Sequence, residues 1–181
     1  MTRFYLLAGC LSLFLLAQKT AAQQTYPVRF ASGTAHFPEN YTQALQGDAF
    51  SPDEIHNGYF VRYLQFRELL SDEARRSMEN SGVVFVGYVQ FGAYLVAIPQ
   101  KYDLQQLRRL QVRSVVAVQS AWKIARSLRE KPYGKWAVNG DKIDVNVQVY
   151  PHIGIEEGAA LCARAGLKVL KKGTQNGFLQ V

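Results

Sequence analysis

The pattern of apolar and polar positions is clearest over residues 58–119, where it changes between strand-like and helix-like periods. Tyr59–Phe66 is rich in aromatic and β-branched residues, which predicts a first β-strand. Ser71 then suits the start of a helix, because a serine side chain can accept a hydrogen bond from the first turn. Apolar residues recur every four positions after it, and Gly82 predicts the end of this helix.

A long apolar run over residues 83–98 follows the predicted helix. It exceeds the length of one ordinary strand and is interrupted at Phe91-Gly92, so it predicts two strands of a hairpin. Asp103 is predicted to cap a second helix, and residues 112–119 supply a closing strand. The resulting order is βαββαβ, which is that of the ferredoxin-like fold, so the predicted class is α+β.

The same pattern starts again in residues 141–181. An alternating segment over residues 144–150 predicts a strand, and residues 155–165 predict a helix that ends at Gly166. Residues 167–170 and 176–181 correspond to the hairpin strands of the first copy. The closing helix and strand have no counterpart, so we expect an incomplete βαββ copy whose uncovered edge invites pairing, in a chain that is the N-terminal part of something longer.

Three further segments complete the predicted organisation. Residues 1–22 have a basic start, an apolar stretch and small residues at Thr20 and Ala22, which is typical of a secretory signal peptide. Its apolar stretch is short for a membrane span. We therefore expect a secreted or periplasmic chain with no stable membrane insertion after cleavage. Residues 23–57 form an N-terminal arm along the first module, and residues 120–140 form a connector.

Composition and charge narrow the classes of partner. The 181 residues are 48% hydrophobic and 12% aromatic, which is ample for a core, and the formal net charge of +7 favours an acidic partner. Cations gather around Trp122 and Trp136 in the connector. These tryptophans either form a nucleic-acid platform or a docking surface, or pack back on the modules. Secretion argues against nucleic acid as the partner.

The candidate chemistry is sparse. After removal of the signal peptide only Cys162 remains, which excludes an internal disulfide and predicts a buried helix residue. His36, His56 and His152 do not stand at metal-ligand spacing from one another, and His152 is predicted to lie at a turn surface. The sequence contains no Gly-x-Ser-x-Gly, no His-Glu-x-x-His and no phosphate-binding loop. We therefore expect a chain that is itself non-catalytic and binds no metal or cofactor.

Three stretches carry a resemblance to a known family: residues 57–66, which read Asn-Gly-Tyr-Phe-Val-Arg-Tyr-Leu-Gln-Phe, and residues 79–83 and 92–96. With them, residues 28–122 resemble the N-terminal prodomains of secreted subtilisin-like (S8 family) serine peptidases. The family's catalytic signatures, Asp-Ser/Thr-Gly, His-Gly-Thr-His and Gly-Thr-Ser-Met/Ala, have no counterpart in the sequence. No catalytic residue can therefore be assigned, and endopeptidase activity would belong to a catalytic domain absent from this chain.

The resemblance implies a propeptide that acts as intramolecular chaperone and inhibitor of a subtilisin-like catalytic domain in cis. Its outer sheet face would dock on the peptidase, and residues after Val118 would approach the substrate cleft. Which of the two modules lies nearer the cleft stays open. The side chains expected to contact the peptidase are those of Tyr63, Tyr88, Tyr94, Trp122 and Ile124.

Two alternatives to a cis-acting propeptide remain. One is a secreted protein-interaction module unrelated to proteolysis, and the other is a free-standing peptidase inhibitor that acts in trans. An exposed aromatic patch that includes Tyr63, Tyr88 and Tyr94 would serve the propeptide and the interaction module equally.

Overall fold

The computed structural model describes residues 26–46, 50–173 and 178–181. These residues form a mixed α+β structure with several antiparallel sheets and few helices, which confirms the predicted class. The predicted signal peptide lies outside the described residues. Within them, no helix combines the length and apolar character that a membrane crossing requires.

The strands are β1 (Pro27–Phe30), β2 (Gly33–His36), β3 (Tyr59–Phe66), β4 (Val84–Tyr88), β5 (Ala93–Pro99), β6 (Val112–Ala117), β7 (Val138–Asn139), β8 (Lys142–Ile143), β9 (Asn146–Gln148), β10 (Lys171–Lys172) and β11 (Phe178–Gln180). The α-helices are α1 (Tyr41–Leu45), α2 (Asp72–Asn80), α3 (Gln106–Arg109), α4 (Ser120–Lys123), α5 (Arg126–Arg129) and α6 (Ile155–Arg164). Two short 3-10 helices cover Pro52–Glu54 and Lys135–Ala137.

The largest sheet contains four antiparallel strands in the order β4-β5-β3-β6. The predicted first strand is confirmed with its bounds unchanged. The predicted hairpin is confirmed as β4 and β5, which are joined by a turn in which the Ala93 N–H donates to the Gln90 carbonyl. Gly92 is required in this turn because its φ is +71° and a Cβ there would lie 2.7 Å from the Phe66 carbonyl oxygen.

Helix α2 begins and ends where its sequence predicts. The Ser71 hydroxyl accepts a hydrogen bond from the Ala74 N–H at 3.2 Å, and Asp72 and Glu73 occupy the first turn, where carboxylates favour the helix dipole. Met78 is the buried residue of this helix. Gly82, with φ +90°, follows the helix and reverses the chain toward β4.

The second predicted helix is much shorter than expected, which corrects the prediction of a cap at Asp103. Only α3 is α-helical, and the Asp103 carboxylate accepts from the Gln105 N–H ahead of it. The preceding turns use bonds between residues three apart, such as Leu107 N–H to Leu104 carbonyl. Apolar residues at a spacing of three fit this tighter geometry as well as they fit an α-helix.

The inner face of the four-stranded sheet holds the main core. Helices α1, α2 and α3 lie on this face and contribute Ala44, Met78 and Leu107, each 1% exposed. Val83 and Tyr102 join from the connecting segments, and the strands contribute Leu64, Phe66, Tyr94, Val96, Ile98, Val112 and Val115. Burial of this many large apolar side chains is the main stabilising contribution to the unit.

The outer face of the same sheet is covered by the N-terminal arm, whose β1–β2 hairpin lies across it. Val28 and Phe37 are buried against Tyr63 and Ala93. The Trp122 ring stacks on the Phe30 ring of the arm, with centroids 4.6 Å apart. This is the face that was predicted to dock on a peptidase, and in the structure the arm and Trp122 cover part of it.

The arm also closes the edge of the sheet at β6. The Asn40 side chain donates to the Val115 carbonyl at 2.7 Å and accepts from the Val115 N–H at 2.9 Å. The Ser114 hydroxyl donates to the Pro38 carbonyl at 2.6 Å. Among the described residues no further strand pairs with β6 on this side, and these bonds satisfy both main-chain groups of Val115 at its edge.

A second, three-stranded sheet has the order β10-β11-β9, and α6 packs against it. Helix α6 matches the prediction, with Cys162 buried and Gly166 at φ +79° after its end. The strand predicted at residues 167–170 is wrong: β10 covers only Lys171–Lys172, and the main-chain bond just ahead of it runs from the Leu170 N–H to the Gln180 carbonyl. Leu167 and Leu170 remain 43% and 47% exposed, so their apolar character does not mark a buried strand. The segment 174–177, within the predicted last hairpin, lies outside the described residues.

Candidate functional site

The five predicted contact residues do not form one surface. Tyr88 and Ile124 are 55% and 42% exposed, and Trp122 is half-buried beneath the arm. Tyr63 and Tyr94 are only 5% and 8% exposed. The expected exposed patch of three tyrosines is therefore wrong for two of its members.

The burial of Tyr63 and Tyr94 follows from the alternation of side chains along a strand. Tyr63 points to the outer face, where its ring contacts Phe30 and Phe37. Tyr94 points to the inner face, and its ring lies 5.8 Å from that of Phe66. Burial raises the pKa of the Tyr63 hydroxyl to about 12, and it also raises the pKa of Tyr94.

A different apolar surface lies at the end of the four-stranded sheet where β3 finishes. Leu69, Tyr88 and Phe91, which are 73%, 55% and 53% exposed, border a shallow cavity of about 380 Å³. We call these three residues the rim patch. Contiguous exposed apolar side chains are typical of contact sites, whereas single ones are ordinary on protein surfaces.

The β4–β5 turn holds Phe91 in place within the rim patch. Phe91 has a φ of +47°, which is uncommon for a bulky residue. Its carbonyl accepts a hydrogen bond from the Gln65 side chain at 3.1 Å, and the neighbouring Gln90 side chain accepts one from the Arg29 N–H at 3.1 Å. The turn is thus fixed by both the sheet and the arm, and a strained exposed aromatic held this way is a candidate for function.

The sequence analysis missed Leu69 and Phe91. Leu69 follows the predicted strand among charged residues and belongs to no apolar period. Phe91 was treated only as part of a chain reversal. A large aromatic residue at the tip of a predicted tight turn was the available signal, because a turn tip has no core to bury it.

The connector contributes a second exposed region. Beyond Trp122, the chain is extended at Ile124 and Ala125, with ψ of 120° and 145°. Leu128 is 36% exposed, and Trp136 is 89% exposed. Trp122 therefore packs back on the first sheet, whereas Trp136 is presented to solvent.

Three polar side chains meet where the second sheet contacts the first. The His56 Nε2 atom lies 3.4 Å from a Glu157 carboxylate oxygen, and the Asn57 side chain donates to the same carboxylate. The His152 ring lies between the rings of Tyr59 and Tyr150, at centroid distances of 5.2 and 5.9 Å. We call this cluster the joint.

The joint corrects the predicted surface role of His152. Both of its ring nitrogens are buried, and neither has a hydrogen-bond partner within the described part of the chain. Burial, with a smaller contribution from the nearby His56, lowers the pKa of His152 below its usual value. An imidazole in this position favours the neutral form and resists protonation.

The described ranges offer no group of three or more histidine, cysteine or acidic side chains placed to hold a metal ion. Cys162, a residue of α6, has a free thiol that is buried against the second sheet.

Comparison with known proteins adds one match. A family model described as a domain of unknown function (DUF8729) matches residues 24–119. These residues take in the arm and the four-stranded sheet with its helices. No curated protein and no solved structure gives a significant match.

Proposed function

The chain belongs to the DUF8729 family, and we propose that its four-stranded unit is a ferredoxin-like module that acts as a propeptide-like partner of a subtilisin-like serine peptidase. Support for the module comes from its topology. Counted along the unit, the sheet order β6-β3-β5-β4 reads fourth, first, third, second strand. With α2 and α3 on one face, this order supports the proposed split βαβ fold.

We further propose that residues 141–181 are a second, partial copy. The order β10-β11-β9 matches the order β4-β5-β3 of the first sheet strand for strand. Helix α6 takes the place of α2, and each helix is followed by a glycine with positive φ, Gly166 and Gly82. The proposal of a repeat thus has support from both strand order and helix termination.

The rim patch is the single observation that carries the proposed contact with the peptidase. The arm covers much of the outer sheet face, so docking through that face would require its displacement. The rim patch is exposed, apolar and held by a turn that is pinned on two sides. A rigid apolar surface loses little conformational entropy on binding, which favours tight association.

The extended segment at Ile124 supplies the proposed inhibitory contact. Peptidase clefts bind substrates in extended conformation, and this segment already has extended backbone angles. Occupying the cleft would inhibit the enzyme. Binding to the native peptidase but not to its unfolded chain would stabilise the native state, which is the thermodynamic basis of chaperoning.

This proposal includes export by the predicted signal peptide and a protein partner rather than nucleic acid. A second candidate function is that of a secreted interaction module unrelated to proteolysis. The N-terminal arm covers the outer sheet face, and this favours the interaction module, because such a module does not have to dock a peptidase through that face.

The test is to add the full chain to a subtilisin-type serine peptidase and to measure both residual activity and the yield of refolding of the denatured enzyme. We expect slowed hydrolysis and a higher refolding yield. Replacing Tyr88 with alanine and Phe91 with asparagine should weaken inhibition at least about tenfold, since loss of two exposed anchors removes more than 1.4 kcal/mol of binding free energy.

Leu170→Ala is the matched control, because Leu170 is 47% exposed and lies just before β10, far along the chain from the rim patch. This variant should inhibit like the parent chain. Absence of inhibition and of refolding assistance by the folded parent chain would reject the peptidase proposal and leave the interaction module. Equal inhibition by the rim variants would move the contact away from the rim patch.

A further inference from the structure

The edge of the second sheet at β9 differs from the corresponding edge of the first sheet. In the first sheet, β6 pairs with β3 and is in turn covered by the arm. In the second sheet, β9 takes the place of β3 but pairs only with β11 among residues 26–46, 50–173 and 178–181. The position that corresponds to β6 is therefore unfilled by the described chain.

The register shows which main-chain groups face this edge. Val145 and Val181 exchange both of their main-chain hydrogen bonds, at 2.9 and 3.0 Å. Successive residues of a strand direct their main-chain N–H and C=O groups to opposite edges. Since those of Val145 face β11, those of Asn146 and Gln148 point away from it. On the same side, the Asp144 N–H donates to the Ala137 carbonyl, so the open edge begins just after that bond.

A cavity of about 520 Å³ runs beside this edge. It contacts every residue from 145 to 150 and also reaches Gly158, Leu161 and Cys162 of α6, so it spans both the edge of β9 and the helix side of the sheet. Its far wall includes the apolar side chains of Leu95, Trp122 and Leu128. Side chains from one face of an added strand would find apolar surface there.

The charge around the cavity indicates the kind of occupant. Lys123 lines the cavity. The connector at residues 120–140 carries Lys123, Arg126, Arg129, Lys131 and Lys135 against the single acid Glu130, which is five positive charges minus one negative. Two copies paired through β9 would bring these basic connectors together, which is unfavourable. An acidic segment would be attracted.

We propose that the β9 edge binds an extended peptide segment of a partner protein, with alternating apolar and acidic residues, as a fourth strand of the second sheet. Main-chain hydrogen bonds to Asn146 and Gln148 supply the affinity, and the apolar cavity and Lys123 supply the selectivity. The interaction is separate from the rim patch and does not require a peptidase.

The probe is an acetylated and amidated seven-residue peptide of alternating glutamate and valine, added to the isotopically labelled full chain. Amide hydrogen exchange is measured residue by residue, and the dissociation constant is obtained by titration. We expect exchange at Asn146 and Gln148 to slow at saturating peptide, because their N–H groups become hydrogen-bonded. A peptide of alternating lysine and valine should bind more weakly.

Gln148→Pro is the informative variant, since it removes one outward N–H and proline is tolerated where that group faces away from the sheet. It should weaken binding of the peptide about tenfold, the worth of a main-chain hydrogen bond. Gln148→Ala keeps the N–H and is the matched control. Protection of the Leu179 amide in each variant reports whether the second sheet is still formed.

If Gln148→Pro unfolds the sheet, Lys123→Glu replaces it, and that variant should lose the preference for the acidic peptide. Unchanged exchange at Asn146 and Gln148 with saturating peptide would reject the proposal. Equal binding of the acidic and basic peptides would reject its charge selectivity. A concentration-dependent dimer of the parent chain that disappears in Gln148→Pro would reject a partner peptide in favour of a second copy.

Discussion

The three strands of the second sheet have the same order as β4, β5 and β3 of the first, but the two sheets bury different numbers of apolar side chains. The first sheet has a core cluster of 12 buried residues, and helices lie on one face and the arm on the other. Among the described residues, the second has a cluster of 5 buried residues and a single helix, α6. Since apolar burial is the main favourable term in folding, the second sheet should be the less stable of the two and should open first.

The largest loss of stability is expected when one core leucine in each sheet is replaced by alanine. Comparing the two losses tests whether the second sheet is the less stable one. Leu64 and Leu179 are both fully buried, at 0% exposure. We expect Leu64→Ala to cost about 4 kcal/mol and Leu179→Ala about 2 kcal/mol, because the smaller cluster can relax around the missing atoms. Native-state hydrogen exchange at amides of β5 and β11 measures each. Equal losses would mean that the two sheets unfold as one unit.

The arm is predicted to contribute the next largest difference. Asn40→Ala removes two hydrogen bonds to the Val115 main chain and leaves those groups partly buried. We expect a loss of about 2 kcal/mol in the free energy of unfolding, measured by chemical denaturation. Gln43→Ala, at an exposed position of α1, is the matched control and should cost much less. If the two variants behave alike, water replaces the Asn40 contacts and the edge does not depend on the arm.

Acid is expected to weaken the joint between the sheets. The pKa of His152 is lowered from 6.5 by burial first and by His56 second, so below pH 6.5 the unfolded state binds more protons than the folded state. The contribution of His152 to stability is therefore complete above pH 6.5 and is lost as pH falls through the lower folded value. Groups facing it are His56, Tyr59, Tyr150 and, through His56, Glu157.

His152→Phe should flatten this part of the profile of unfolding free energy against pH, because phenylalanine keeps the ring contacts and cannot be protonated. His36→Phe, at an exposed strand position, is the control and should leave the slope unchanged. If the unfolding free energy of the parent chain and of His152→Phe has the same slope against pH, protonation of His152 does not contribute to the loss of stability in acid.

The smallest expected effect concerns the turn of the first sheet. Phe91→Asn should raise the free energy of unfolding by about 0.5–1 kcal/mol, because asparagine tolerates the positive φ of this position better than phenylalanine. Differential scanning calorimetry of the full chain measures it. A decrease in stability would show that the exposed ring packs usefully against the rim, and the argument from strain would then fail.

Sequence reasoning was most successful where the signal is local. The alternation in Tyr59–Phe66, the cap at Ser71 and the reversal at Phe91-Gly92 all specify structure within a few residues, and β3, α2 and the β4–β5 hairpin formed as predicted. Helix α3 was overestimated because a spacing of three serves both helix types. The strand before residue 171 was misplaced because exposed leucines resemble buried ones in a sequence.

The candidate site was less predictable because exposure depends on residues distant in the chain. Tyr63 would lie on an open sheet face if Phe30 and Phe37 did not cover it, and these residues are about thirty positions away. No period in the sequence indicates which surface an irregular arm will cover. The rim patch was missed for the same reason, since Leu69 and Phe91 meet only through the ends of separate strands.

The contact between Asn40 and Val115 spans 75 residues of sequence. During synthesis at about 5–20 residues per second, the arm leaves the ribosome about 4–15 seconds before the strand edge that it will cover. The hydrogen bonds between Asn40 and Val115 therefore cannot form until several seconds after the arm has been synthesised. Phe30 and Phe37 pack against Tyr63 and Trp122, which are synthesised later, so this apolar surface of the arm stays uncovered during part of that interval.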